Sequence, residues 1–234
     1  MEKKRLGGWS MNIRIYNARI LTMEENRTIF VGELHVKGNK IAYVGPAKEE
    51  DTKVWDREID AEMNLIMPGF KNAHTHSGMT FLRSYADDMP LSEWLNHQVF
   101  PREAKITEDD IYHLSKLAIL EYLTSGITAN FDMYLTPDSI AKASKDCGFR
   151  TVITGGFNDF VQSIDELERC YNAYNNPNEL VTFRFGFHAE YTTSRENLEK
   201  LSELIHKYQA PVDTHSSEST SEVEDCIERY GKTP

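Results

Sequence analysis

The chain has 234 residues, 40% hydrophobic and 27% charged, an ordinary balance for a globular protein and enough for one large domain or two small ones. A formal net charge of -11 without any basic stripe excludes the electrostatic footprint of a nucleic-acid binder. No apolar run approaches the roughly 20 residues that cross a bilayer, so no membrane partner is expected.

The start, Met1-Glu2-Lys3-Lys4-Arg5, is basic but has no apolar stretch behind it, unlike a secretory signal. Residues 1–10 read as a leader or tag-like segment, with Met11 opening the first strand-like run. Residues 11–66 read as a small β module. Asn12-Ile13-Arg14-Ile15-Tyr16-Asn17 and Glu33-Leu34-His35-Val36-Lys37 alternate polar and apolar residues. Gly38-Asn39-Lys40 supplies turn chemistry before Ile41-Ala42-Tyr43-Val44-Gly45. The pattern predicts an antiparallel, sandwich-like module with one wet face.

After Pro68-Gly69 the rhythm changes. Strand candidates at 64–70, 127–132, 149–155, 181–187 and 211–215 alternate with amphipathic helix candidates at 107–125, 136–146, 163–175, 193–208 and 220–230. Thr107 is the expected N-cap of the first helix and Gly126 its stop. The stretch 71–106 reads as a loop-rich excursion. Alternation of this kind predicts an α/β fold, with residues 67–234 forming about the first five β/α units of a TIM-type barrel. Such a barrel closes with eight strands, and a shorter sheet keeps two bare parallel edges. The sequence therefore reads as stopping before a sixth strand. It is expected to be an incomplete chain with weak metal binding and little turnover, or one whose edges pair in a homo-oligomer.

Three cysteines, Cys147, Cys170 and Cys226, are scattered and form no CxxC, which fits reduced structural thiols and a cytoplasmic location.

The strongest chemical signal is Met67-Pro68-Gly69-Phe70-Lys71-Asn72-Ala73-His74-Thr75-His76. His74 and His76, two apart in extended backbone, point to one face and can reach one cation. A second signal is Ala210-Pro211-Val212-Asp213-Thr214-His215-Ser216-Ser217-Glu218. His215 ends a later strand and so opens onto the same barrel face. Glu218 beside it suits a proton shuttle to a metal-activated water; it equally suits an acid at the start of the next helix, capped by Ser219 or Thr220. His188, in Phe185-Gly186-Phe187-His188, ends the strand before, and reads as a substrate contact or as a satisfied structural histidine. His97, His113, His206 and His35 read as surface or packing residues, and Asp87-Asp88 as a solvated loop pair.

Taken in order, these motifs together with Ser92-Glu93-Trp94-Leu95, Val99-Phe100-Pro101-Arg102-Glu103, Gly126-Ile127-Thr128 and Asp132-Met133-Tyr134 resemble the amidohydrolase superfamily from about residue 12 onward. The resemblance is nearest to the 5′-methylthioadenosine/S-adenosylhomocysteine deaminases, with triazine chlorohydrolases as cousins. It implies one divalent metal, zinc first and iron second, on His74, His76 and His215, with Glu218 as proton shuttle. It implies Glu103 on the ribose hydroxyls, His188 on the substrate and Trp94 walling the pocket. The small-molecule substrate it implies is an amino-purine or nucleoside, deaminated by metal-activated water; hydrolytic dechlorination or amide cleavage is the rival on the same scaffold. Family members complete the site with a histidine after strand six and an aspartate after strand eight, which would lie beyond Pro234. The arginine expected near strand three is replaced by Thr154-Gly155-Gly156, which counts against a substrate with a carboxylate tail such as S-adenosylhomocysteine.

Overall fold

The protein is described from a computed structural model covering residues 11–48, 54–176 and 178–234. The leader-like segment 1–10 lies outside the described residues. The chain divides into two compact units, one up to Pro68 and one from Gly69 to Pro234.

The first unit contains β1 (Asn12–Ile20), β2 (Phe30–Lys37), β3 (Lys40–Gly45), β4 (Arg57–Asp60) and β5 (Leu65–Ile66). Their order is β3-β2-β1-β4, with β5 also on β1. The expected antiparallel pairing holds for β1–β2 and β2–β3, but β4 and β5 join β1 in parallel, so the sheet is mixed. An irregularity between Ile15 and Ala18, where Asn17 takes φ 54°, bends β1. The two short strands then share its far edge, β4 along Ile13–Tyr16 and β5 along Arg19–Ile20. Alternation in the sequence could not signal these pieces, because neither is long enough to show a period.

In the second unit, β6 (Phe70–Thr75) begins later than the predicted 64–70. Leu65–Ile66 belongs to the first sheet, and Pro68-Gly69 separates the two strands. The excursion that follows is more ordered than a loop. It holds a 3-10 turn, Ser77–Leu82, then α1 (Leu91–Glu93), a π turn Trp94–Val99 and α2 (Phe100–Glu103) in unbroken succession. Thereafter come α3 (Glu108–Thr124), β7 (Ile127–Met133), α4 (Pro137–Cys147), β8 (Arg150–Thr154), α5 (Ile164–Tyr174), β9 (Val181–Gly186), α6 (Arg195–Tyr208), β10 (Val212–Asp213) and α7 (Thr220–Tyr230). The sheet runs β10-β9-β8-β7-β6, with every neighbouring pair parallel.

Local chemistry explains these boundaries. Thr107 and Asp110 form a reciprocal capping box: the Asp110 N–H donates to the threonine hydroxyl at 3.2 Å, and the Thr107 N–H donates to the carboxylate at 2.8 Å. Helix α3 stops at Ser125-Gly126, where φ of +77° suits glycine. Parallel strands need a covering helix layer, and the core lies there. Phe183 and Phe185 of β9, Ile153 of β8, Leu167 of α5 and Leu201 of α6 are fully buried together. Tyr171 stacks on Phe185 with centroids 4.4 Å apart. Phe183, 1% exposed, belongs to this layer. Phe183→Ala is expected to cost about 3–5 kcal/mol in urea unfolding; a loss below about 1 kcal/mol would show that the layer is not packed as described.

Candidate metal centre and pocket

The C-terminal ends of β6 and β10 bring three imidazoles together. His74 is in β6, His76 follows its last residue, and His215 follows β10. One ring nitrogen from each lies within 4.8 Å of the others. The Nε2 atoms of His74 and His76 are 3.1 Å apart, and those of His74 and His215 3.3 Å.

The outer nitrogens explain the orientation. His76 Nδ1 lies 2.6 Å from the Met133 carbonyl, and His215 Nδ1 lies 2.9 Å from the His188 carbonyl. A carbonyl only accepts, so each Nδ1 carries the proton and each Nε2 presents a lone pair inward. His74 has one Nε2 and can donate to only one of these two. At least one close nitrogen pair therefore faces lone pair to lone pair. A divalent cation removes that repulsion: two nitrogens each 2.0–2.1 Å from a tetrahedral zinc lie about 3.3–3.4 Å apart. The donor set thus fits a zinc-type ion.

Burial pushes the His76 imidazole down to about 4, with the Met133 carbonyl opposing and the His215 and His74 rings adding to the fall. His188 is pushed down to about 4 as well, by burial first and then by His215 and His76. Both rings are therefore neutral near pH 7. His188 is centred 5.2 Å from His215, and its Nδ1 is 3.1 Å from the Thr192 hydroxyl.

His76, His188, His215 and Glu218 open onto one cavity of about 530 Å³. Trp94 and Glu103 line the same cavity, so the excursion after β6 forms one of its walls. Burial raises the Glu103 carboxyl above its usual range, and the facing Tyr134 hydroxyl acts against that rise. Glu218 is exposed, and its Oε2 accepts from the Tyr191 hydroxyl at 3.3 Å. The role of acid at the start of α7 falls to Glu222 instead. The Glu222 carboxylate accepts from the Glu218 N–H at 2.6 Å, and Ser219 caps the helix by accepting from the Glu222 N–H at 3.2 Å. All seven residues singled out from the sequence thus meet at this end of the sheet: six line the cavity, and His74 joins through its Nε2 contacts.

Sequence reasoning missed several neighbours. Phe160, Val161 and Gln162 line the cavity from the loop after β8, and Gln162 Oε1 accepts from the Gly156 N–H at 3.0 Å. Tyr134, quoted only as part of a motif, faces Glu103 and closes on Gly78, where a Cβ would come within 2.2 Å of the tyrosine ring. The glycine just after the histidine pair was the available signal for that close approach.

The profile of the amidohydrolase family matches residues 65–234. The chain belongs to the amidohydrolase family. A 5-methylthioadenosine/S-adenosylhomocysteine deaminase from Caldicellulosiruptor saccharolyticus is 37% identical over 229 residues, covering 96% of this chain and 53% of the relative. The chain thus spans about half the length of the curated relatives it matches. The crystal structure of an adenosine deaminase from Xanthomonas campestris with bound zinc superposes with a TM-score of 0.85 at 30% identity, over 95% of this chain and 53% of that one. An atrazine chlorohydrolase from Arthrobacter aurescens complexed with zinc shares the fold, with a TM-score of 0.78 at 22% identity over 95% of this chain and 56% of that one. Among the described residues no helix is long and apolar enough to cross a membrane.

The buried imidazoles predict a stability signature for the metal-free chain. His76 and His188 lose protons more readily folded, at about 4, than at the ordinary 6.5, so stability present above 6.5 is lost as pH falls toward 4. The fully buried Asp132 is raised by burial to about 6 and acts in the opposite sense, its contribution being lost as pH rises from 3.8 through 6. Two histidines outweigh one aspartate, so urea unfolding should show lower stability at pH 5 than at pH 7. His188→Asn should flatten the slope; an unchanged slope would contradict the burial of that ring.

Proposed function

We propose that the chain forms the N-terminal half of a metal-dependent deaminase site acting on an amino-purine or nucleoside-type ring, of the adenosine, methylthioadenosine or S-adenosylhomocysteine class. The observation that carries this reading is the inward convergence of the His74, His76 and His215 Nε2 atoms at 3.1–3.3 Å, beside a cavity that Glu218 also lines. The names of the relatives and the zinc in the adenosine deaminase structure support it. The five parallel strands are read as the first five units of an eight-stranded barrel. Residues 67–234 are taken as its N-terminal part, and residues 11–66 as part of a composite β domain. The thiols Cys147, Cys170 and Cys226 are free, which suits a cytoplasmic setting.

His74, His76 and His215 would hold one divalent ion, zinc before iron, given three imidazole donors. When bound, that ion supplies the Lewis acidity that brings the pKa of water toward neutrality. Glu218 accepts a proton from the water as its oxygen attacks the amino-bearing ring carbon, and returns it to the adjacent ring nitrogen. The carbon–nitrogen bond then breaks. The amino group leaves as ammonia with the second water proton, and the ring keeps the oxygen as a carbonyl. Glu103 accepts hydrogen bonds from sugar hydroxyls, Trp94 offers a flat wall to the ring, and neutral His188 presents its free nitrogen to the substrate. Apolar lining from Leu91, Leu95 and Val99 excludes water around the ring.

A full-length, zinc-loaded form should release ammonia from methylthioadenosine or adenosine and leave a chlorinated triazine untouched, whereas the 234-residue chain alone should show little turnover. Glu218→Gln should lower kcat by about 10²–10⁴ with zinc content unchanged. Comparable rates for the two proteins would remove Glu218 from the mechanism, and chloride release without ammonia would replace deamination by dechlorination.

A further inference from the structure

A buried polar cluster lies where β6 and β7 meet α3, and the reaction above makes no use of it. At its centre is Asp132, 0% exposed. Its Oδ1 accepts from the Ser77 backbone N–H at 3.0 Å, and its Oδ2 accepts from the Asn130 amide at 3.3 Å. The same amide reaches the Thr75 hydroxyl at 3.0 Å and the Ser77 hydroxyl at 3.3 Å. Thr75 donates to the Phe131 carbonyl at 2.8 Å, and the Ser77 and Tyr122 hydroxyls pair at 3.0 Å.

Every donor to this carboxylate is neutral, and a buried charge without a cation is costly to keep. A strand end that needed only packing would be filled by an apolar side chain. What the carboxylate touches suggests its use: its partners flank His76 in sequence. Thr75 and Ser77 are held from the helix side, and the residue after Asp132, Met133, takes the His76 Nδ1–H on its carbonyl. Side chains alternate along extended backbone, so drawing Thr75 into the helix layer turns His74 and His76 to the opposite side. The pairing shift between Asn72 and Thr75 makes this anchoring necessary. The register resumes only at Thr75 opposite Asp132, and a bulge leaves the direction of the following side chains open.

We propose that Asp132 is a positioning residue for the histidine pair: by fixing Ser77, and Thr75 through Asn130, it sets the register that aims His74 and His76 at His215. The inference rests on the reading of the three histidines as a metal centre. Partners behind metal ligands commonly change affinity by 10–100-fold when removed.

The test uses the 234-residue protein, with zinc affinity measured by chelator competition, the absorption spectrum of the cobalt-substituted form, and the melting temperature in EDTA. Asp132→Ala should weaken zinc binding by about 100-fold. Asp132→Asn, which keeps an acceptor for Ser77 but turns an N–H₂ toward Asn130, should weaken it by about 10-fold. Both should alter the cobalt spectrum beyond any change in melting temperature. The near-isosteric Asp132→Asn carries the test alone if Asp132→Ala does not fold. Wild-type zinc affinity and cobalt spectrum in Asp132→Asn, whatever its melting temperature, would overturn the proposal. A wild-type protein that binds zinc no better than His215→Asn would instead overturn the metal-centre reading itself.

Discussion

The arrangement at the rim depends on where two protons sit. The Met133 and His188 carbonyls hold the Nδ1–H groups of His76 and His215, and so oblige the opposite nitrogens to present lone pairs to one another and to His74. Close-packed lone pairs are unfavourable in a protein without a cation between them. The backbone thus builds an electrostatic demand for a positive ion before any ion arrives. The carbonyls come from the ends of β7 and β9, next to the strands that carry the histidines, so sheet order and ligand orientation are one fact. Strand ends at one rim are also where a barrel can gather residues distant in sequence, His74 and His215 being 141 positions apart.

Around that centre the protein separates polar from apolar work. Carboxylates, imidazoles and Tyr134 line the cavity, while Leu91, Leu95 and Val99 supply an apolar wall. That wall comes from the excursion after β6, whose helical run is broken by a π turn at Trp94–Val99. An extra residue in a helical turn rotates the side chains that follow, and such turns recur where a helix must aim residues at a site. Here it begins at Trp94 and ends shortly before Glu103, both of which line the cavity.

Much of this was legible in the sequence. The helices from Glu108 onward were readable because caps such as Thr107 and Ser219 mark their starts and their apolar positions repeat over several turns. The histidines were readable because metal chemistry requires a few residue types at strand ends. Short elements were not readable. β4 and β5 have four residues or fewer, and alternation cannot be seen over so few positions. Strand 64–70 was misplaced for the same reason: one apolar run served two sheets, and only pairing partners separate Leu65–Ile66 from Phe70–Thr75. Asp132 was quoted only as part of the Asp132-Met133-Tyr134 motif, since nothing in a sequence tells a buried carboxylate from a solvated one. Glu218 illustrates the converse, because both of its readings were local and only Glu222 taking the helix-start role separates them.

Zinc K-edge X-ray absorption on the zinc-loaded protein addresses the central claim most directly, because it reports donor type and distance around the ion itself. The account expects three imidazole nitrogens at 2.0–2.1 Å, with the multiple-scattering signature of histidine rings, losing one ring in His215→Asn. A shell of oxygen donors alone, or one unchanged by that substitution, would contradict it.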